Sequence, residues 1–165
     1  MIRLRAFNQL DAAEAAALLR PCLDVDRWIG EIVAGRPYAS ADDLLATARA
    51  AAKPFTGAEL EAALAHHPRI GERARGGSAE AGLSRSEQAG LALDGDVEEQ
   101  LAEGNGAYER RFGRVFLIRA AGRSSTEILH HLKTRLRNDP DTEDEVVADQ
   151  LRQIALVRLA GAVSA

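Results

Sequence analysis

Apolar residues recur along this chain at three- and four-residue intervals in one run after another, and most runs are preceded by a residue able to cap a helix. Asn8 stands before Asp11-Ala12-Ala13-Glu14-Ala15-Ala16-Ala17-Leu18-Leu19, and Pro21 closes that stretch. Leu23, Trp28, Ile29, Ile32 and Val33 lay an apolar stripe on a second helix, ended by Gly35 and Pro37. Ser40 with Asp43 caps a third, before Leu44, Leu45 and Ala48. Thr56 with Glu59 forms a capping box for a fourth, which delivers His66 and His67 at its end. Residues 68–82, with Pro68, Gly71, Gly76, Gly77 and Gly82 among charged residues, predict a structured loop.

Ser84 with Glu87 has the spacing of another capping box and predicts a short helix through Leu91 and Leu93. Asp94-Gly95-Asp96 breaks to a longer helix carrying Leu101, Asn105, Tyr108 and Phe112, which Gly113 ends. Ser124 with Glu127 caps the next, through Ile128, Leu129, Leu132 and Leu136, until Asn138-Asp139-Pro140 stops it. Thr142 with Glu145 caps the last, where Val146, Val147, Leu151, Ile154, Ala155, Arg158 and Leu159 recur at helical spacing. Val115-Phe116-Leu117-Ile118 is the exception. It is β-prone, yet no partner strand is patterned anywhere else, so it predicts a short buried extended segment near 114–119. The expectation is an all-α protein of about seven or eight helices. At 165 residues it is expected to form a single domain spanning 1–165.

Composition sharpens this picture. Aromatics are only 4% of the chain, so Ala, Leu, Val and Ile must fill the core, which favours closely packed helices. A formal charge of −4 and a pI near 5.6 argue against nucleic acid or an anionic membrane as partner. One cysteine, Cys22, excludes an intrachain disulfide and a cysteine-based zinc site, and suits a reducing compartment. Met1-Ile2-Arg3-Leu4-Arg5 has no secretory pattern, no run is long enough to span a bilayer, and Val163-Ser164-Ala165 is no peroxisomal address. A cytoplasmic protein is expected.

Chemistry is concentrated in His66-His67-Pro68-Arg69-Ile70-Gly71-Glu72 and in Ser84-Arg85-Ser86-Glu87-Gln88. Proline disfavours helical dihedrals at His67, so an imidazole is offered on irregular backbone. An imidazole near neutrality can give or take a proton; alternatively, a histidine at a helix end simply favours the dipole. The Ser84 spacing is explained by capping alone, but it would put Ser84, Glu87 and Gln88 at a helix N-terminus that welcomes an anion. Arg158 shares a stripe with Leu151, Ile154, Ala155 and Leu159. Its guanidinium needs a carboxylate, either a ligand's or a structural Asp or Glu. A metal-dependent hydrolase built on His66, His67 and Glu72 is an alternative, although no H-E-x-x-H is present, and the His130-His131 pair points two ways on a helix. A non-enzymatic helical interaction module is the other alternative.

Taken together, four ordered segments resemble the decarboxylases of 2-oxo-4-hydroxy-4-carboxy-5-ureidoimidazoline (OHCU). They are His67-Pro68-Arg69-Ile70-Gly71-Glu72, the S-x-x-E-Q-x-G-L of Ser84 to Leu91, Asn105-x-x-Tyr108-x-x-Arg111-Phe112-Gly113 with Val115 to Ile118, and Ile154-Ala155-x-x-Arg158-Leu159. Trp28 and Arg36-Pro37 also fit. The resemblance implies an all-helical fold, usually a homodimer, that acts on OHCU with no cofactor and no metal to yield (S)-allantoin. It implies His67 and Glu87 as catalytic residues. Pro68, Ser84, Gln88 and Arg158 become substrate contacts, and so do Phe116 and Ile118, through a segment whose backbone amides meet the ring. Arg119 departs from the pattern, standing where a small or apolar residue is expected.

Overall fold

The computed structural model describes residues 1–65, 67–72, 78–89, 91 and 95–165. Their contacts divide the chain into two compact units, Met1–Ala63 with Arg152–Ala165, and Leu64–Leu151. In chain order the elements are β1 (Ile2–Arg3), α1 (Leu4–Gln9), α2 (Ala12–Leu19), α3 (Asp26–Ala34), α4 (Ala41–Ala51), α5 (Gly57–Leu64), α6 (Ala79–Gln88), α7 (Gly95–Phe112), α8 (Ser125–Arg135), α9 (Pro140–Ala162) and β2 (Val163–Ser164). The all-α expectation holds, with nine helices among the described residues rather than seven or eight. The helix missed is α1, too short to show a periodicity. Also unforeseen is the parallel pairing of Ile2 with Val163 and Arg3 with Ser164, which joins segments from opposite ends of the chain.

In the first unit, Phe7, Leu19, Trp28, Ile32, Leu44 and Leu159 are fully buried. Trp28 could be buried whole because its indole N–H donates to the Ala48 carbonyl at 2.9 Å. The Tyr38 hydroxyl likewise donates to the Ile32 carbonyl at 2.8 Å. In the second unit, Leu101 and Tyr108 of α7 meet Ile128, Leu129 and Leu132 of α8 around Phe116 and Ile118. The two helices approach so closely at Gly104 that a Cβ there would stand 2.5 Å from a methyl of Leu132. A small residue is required at this crossing.

Three capping assignments stand as read. Ser40 accepts from the Asp43 N–H, Thr56 and Glu59 exchange backbone bonds at 2.8 and 3.2 Å, and Ser124 forms a full capping box with Glu127. Three are corrected. Asn8 does not cap α2. Asp11 does, in a capping box with Glu14, and the Asn8 amide instead exchanges two bonds with the Tyr38 backbone at 2.9 and 3.0 Å. Thr142 does not cap α9, because the Asp139 carboxylate takes the Thr142 N–H and Pro140 sits at the first helical position. Ser84 does not open a helix either: α6 is capped by Ser78 and ends at Gln88, so Ser84 and Glu87 lie in its second half. The readings that fall on His66, Gly76, Gly77, Leu93 and Asp94 lie outside the described residues.

Glu59 gives the clearest electrostatic test of the first unit. Its carboxylate accepts from Arg27 Nε at 2.8 Å and Nη2 at 3.1 Å and from the Thr56 N–H, so the Arg27 hydrogen bond holds its carboxyl below the ordinary glutamate value. A lowered carboxyl stabilises the fold above its unfolded-state pKa, and that contribution is lost as pH falls through the folded-state value. Glu59→Gln is therefore expected to cost about 1 kcal/mol at neutral pH. In urea melts across the pH range, the gap from wild type should close toward acid; a gap independent of pH would refute the assignment.

Candidate active site

His67 stands just past the end of α5, where its N–H donates to the Leu64 carbonyl at 3.0 Å. Pro68 prevents the helix from continuing. His67 and Pro68 are half-buried, and the ring Nε2 is out of contact with solvent. Two residues on, Ile70 drops into the core of the second unit at 5% exposure and anchors the segment.

Irregular backbone so close to a core needs partners for its polar groups, and side chains of two helices supply them. Asn105 of α7, itself buried, donates Nδ2 to the Ile70 carbonyl at 3.0 Å. Gln88 of α6 accepts the Gly71 N–H on Oε1 at 3.0 Å. Gly71 has φ +87°, which excludes most other residues at this bend. On the solvent side, Arg69 grips both carboxylate oxygens of Glu109, from Nε and Nη2, at 2.5 Å each.

The Gln88 bond brings the last turn of α6 against the histidine loop. Ser84, Glu87 and Gln88 are spaced i, i+3, i+4 and share a face, with Ser84 buried at 3% and the other two half-buried. The anion-welcoming helix N-terminus foreseen at Ser84 is not there. What α6 offers is a hydroxyl, a carboxylate and a carboxamide projected from its C-terminal half. Because Gln88 gives its oxygen to Gly71, its –NH2 group is the part left for a ligand.

Residues 115–120 are neither helix nor strand, and the burial foreseen for 114–119 holds at Phe116, Leu117 and Ile118, with 114, 115 and 119 half-buried. Phe116, Ile118 and Ala120 alternate onto one face and join the core cluster, so their side chains are committed to packing. What positions 116 and 118 leave open to a ligand is therefore their backbone. The Leu117 carbonyl accepts from Nη1 of Arg135 at 2.7 Å, and the Arg119 N–H donates to Oε1 of Gln150 at 3.1 Å. Arg135 is 4% exposed; its guanidinium lies over the Phe116 ring and reaches Oε1 of the fully buried Glu143 from Nε at 2.8 Å and Nη2 at 2.6 Å. Tyr108 donates its hydroxyl to the same oxygen, and Asn138 donates to the other at 2.8 Å. Burial, with the Glu143 carboxylate beside it, pushes the Tyr108 phenol up to about 12, so it stays a donor at any working pH.

Arg158 belongs to the first unit. It is 3% exposed among Ile154, Ala155 and Leu159, and its Nη1 donates to the Pro21 carbonyl at 3.2 Å. Sequence reasoning placed it on the right stripe. It missed Arg135, Glu143 and Gln150, although each is a polar residue at an apolar spacing, the same signal that singled out Arg158. His66 lies outside the described residues. Glu72, the other residue of the hydrolase alternative, is exposed and 3.3 Å from Arg69. Among the described residues, no three His, Cys, Asp or Glu side chains converge on a point that could hold a metal, and no helix is long and apolar enough to cross a membrane.

The family profile described as OHCU decarboxylase matches residues 8–160. A uric acid degradation bifunctional protein of Bacillus sp. (strain TB-90) is 28% identical over 163 residues, covering 96% of this chain and 32% of its own length. The 2-oxo-4-hydroxy-4-carboxy-5-ureidoimidazoline decarboxylase of Amia calva is 33% identical over 128 residues, 76% of this chain and 73% of that protein. The chain spans about a third of the length of the bifunctional relatives it matches. Among solved structures, OHCU decarboxylase in the presence of (S)-allantoin superposes with a TM-score of 0.68 at 25% identity, covering 86% of this chain and 94% of that one.

The pinning of the histidine loop is testable by itself. Asn105→Ala removes the donor to the buried Ile70 carbonyl, at a cost of about 1–3 kcal/mol. Amide hydrogen exchange should quicken across residues 67–72 by more than across the helices, whereas uniform quickening would refute a local role for Asn105.

Proposed function

Since the chain belongs to the OHCU decarboxylase family, we propose that it converts OHCU to (S)-allantoin in urate degradation, with His67 and Glu87 as the groups that handle the proton. One observation carries the reading: the Gly71–Gln88 bond sets the Ser84, Glu87, Gln88 face of α6 against the loop that bears His67. An interaction module has no use for such an arrangement of acid, base and neutral donors on backbone pinned in place.

The chemistry asks little beyond these groups. When the bond to the carboxylate breaks, CO2 leaves and its electron pair passes toward the ring C=N, an electron sink that the substrate itself carries. No metal or organic cofactor is called for. The protein has to hold the anion, orient the ring and deliver a proton to one face. Glu87 keeps the imidazole in one tautomer or protonated, and His67 assists loss of the carboxylate and the stereospecific return of the proton. Pro68, Ser84 and the Gln88 –NH2 contact the ureido-imidazoline, and the backbone at Phe116 and Ile118 meets its ring. Arg158 is the guanidinium for the carboxylate. We read residues 1–165 as one functional domain that works in the cytoplasm as a homodimer.

The test generates OHCU in situ from urate with uricase and hydroxyisourate hydrolase, adds this protein with chelator present, and follows circular dichroism. Rapid formation of one allantoin enantiomer is expected; only slow decay to racemate would overturn the proposal. His67→Ala and Glu87→Ala should each lower kcat by at least ~10²-fold with the fold retained. Arg158→Lys should raise KM more than it lowers kcat, since lysine loses the two-pronged grip on a carboxylate. Near-normal turnover in the first two variants would remove those residues from catalysis, and an unchanged KM in the third would refute the clamp.

A further inference from the structure

Between Phe116 and Ile118 the backbone is neither helix nor sheet, and the Phe116 and Ile118 N–H groups find no protein acceptor among the described residues. Buried amide hydrogens without partners are rare, because leaving one unmade costs about as much as a lost hydrogen bond. They are the donors that a ring carbonyl or ring nitrogen would take up. Their direction is then a property of the site, and something must set it.

The Leu117–Ile118 peptide is trans, so its carbonyl and its N–H point in opposite directions across one rigid plane. Fixing the carbonyl fixes the amide. Arg135 does so from Nη1 at 2.7 Å, while its remaining donors, Nε and Nη2, are locked onto Glu143 at 2.8 and 2.6 Å. Glu143 is in turn held by Tyr108 and Asn138, and the guanidinium plane rests 4.5 Å from the Phe116 ring centroid. A planar fork with its prongs divided between a carboxylate and a carbonyl leaves the peptide plane little freedom to rotate. One residue beyond, Gln150 holds the Arg119 N–H and stops rotation from that end.

We propose that Arg135 and Glu143 are positioning residues for substrate binding, a buried ion pair that aims the Ile118 N–H at the ligand by holding the Leu117 carbonyl on the opposite side. This rests on the decarboxylase reading above and assigns a role to a pair that touches no substrate. The pair also stabilises the core, so loss of stability alone cannot establish the proposal. The comparison that separates the two roles is Arg135→Lys against Tyr108→Phe. Lysine keeps the charge beside Glu143 but cannot span from it to the Leu117 carbonyl. Phenylalanine removes the buried hydrogen bond to Glu143 and the long 3.4 Å bond that the hydroxyl accepts from Arg135 Nη2, but leaves the Arg135 Nη1–Leu117 and Arg135–Glu143 hydrogen bonds in place.

For Arg135→Lys, KM for OHCU is expected to rise about tenfold with kcat within a few-fold, as when an interaction made equally in the ground and transition states is removed. For Tyr108→Phe, KM should stay within about twofold even where its melting temperature falls as far. Should Arg135→Lys fail to fold, Glu143→Gln, nearly isosteric, is expected to shift KM in the same direction. In ¹⁵N-labelled protein, the Ile118 amide should move on adding (S)-allantoin to wild type and much less in the folded Arg135 or Glu143 variant. An active wild type with equal KM in all variants, or an Ile118 amide equally responsive in all, overturns the positioning role alone. A wild type inert toward OHCU overturns the decarboxylase reading and this inference with it.

Discussion

Backbone that leaves a helix gives up its ladder of hydrogen bonds, and where it runs against a core the carbonyls and amides cannot fall back on water. That constraint governs both irregular segments of the second unit. At 67–72 the Ile70 carbonyl is met by Asn105 and the Gly71 amide by Gln88; at 115–120 the Leu117 carbonyl is met by Arg135 and the Arg119 amide by Gln150. Each segment is held by one donor and one acceptor side chain from helices. Each holding residue is far from its target in sequence. The helices thus act as a frame whose polar side chains shape two short irregular stretches, and the residues proposed to handle the proton lie on one of those stretches and on the helix face against it.

This division explains what could be read from sequence and what could not. Helices announce themselves locally, through period and cap, so Trp28, Ile29 and Ile32 on α3 and the caps at Ser40, Thr56 and Ser124 were legible. The failures at Asn8, Ser84 and Thr142 share a cause. A polar residue three before an acidic one occurs by chance inside helices too, and a better cap stood nearby, downstream at Asp11 or upstream at Ser78 and Asp139. For the site, the motif resemblance named His67, Glu87 and the 116–118 backbone. The residues holding that backbone were invisible to motif reading, since hydrogen bonds between residues 18 to 35 positions apart leave no local pattern. Only charge at an apolar spacing hints at them, as with Arg135 after Ile128 and Leu132 and Glu143 before Val147 and Leu151.

The placement of charge also reconciles an acidic chain with arginine-rich chemistry. Arg69 and Arg27 are exposed to solvent and paired with carboxylates, and such pairs contribute at most about 1 kcal/mol each while fixing a local geometry. Arg135 and Arg158 are buried, and a buried guanidinium must be satisfied on nearly all of its donors. For Arg135 the partners are a carboxylate and a main-chain carbonyl, so its replacement by an apolar residue would leave the buried Glu143 with neutral donors only and no counter-charge. The departure at Arg119 is confined to its side chain, because its backbone N–H keeps to the same holding scheme as its neighbours.

Trp28 is the sole tryptophan of the chain, and it is sealed inside the first unit with its indole N–H on Ala48. Its emission consequently reports on the packing of that unit around the indole. Tryptophan fluorescence follows one site in the first unit, whereas far-ultraviolet dichroism averages over the helices of both. Whether their melting curves coincide is a direct readout of whether the two units unfold as one cooperative body or in sequence.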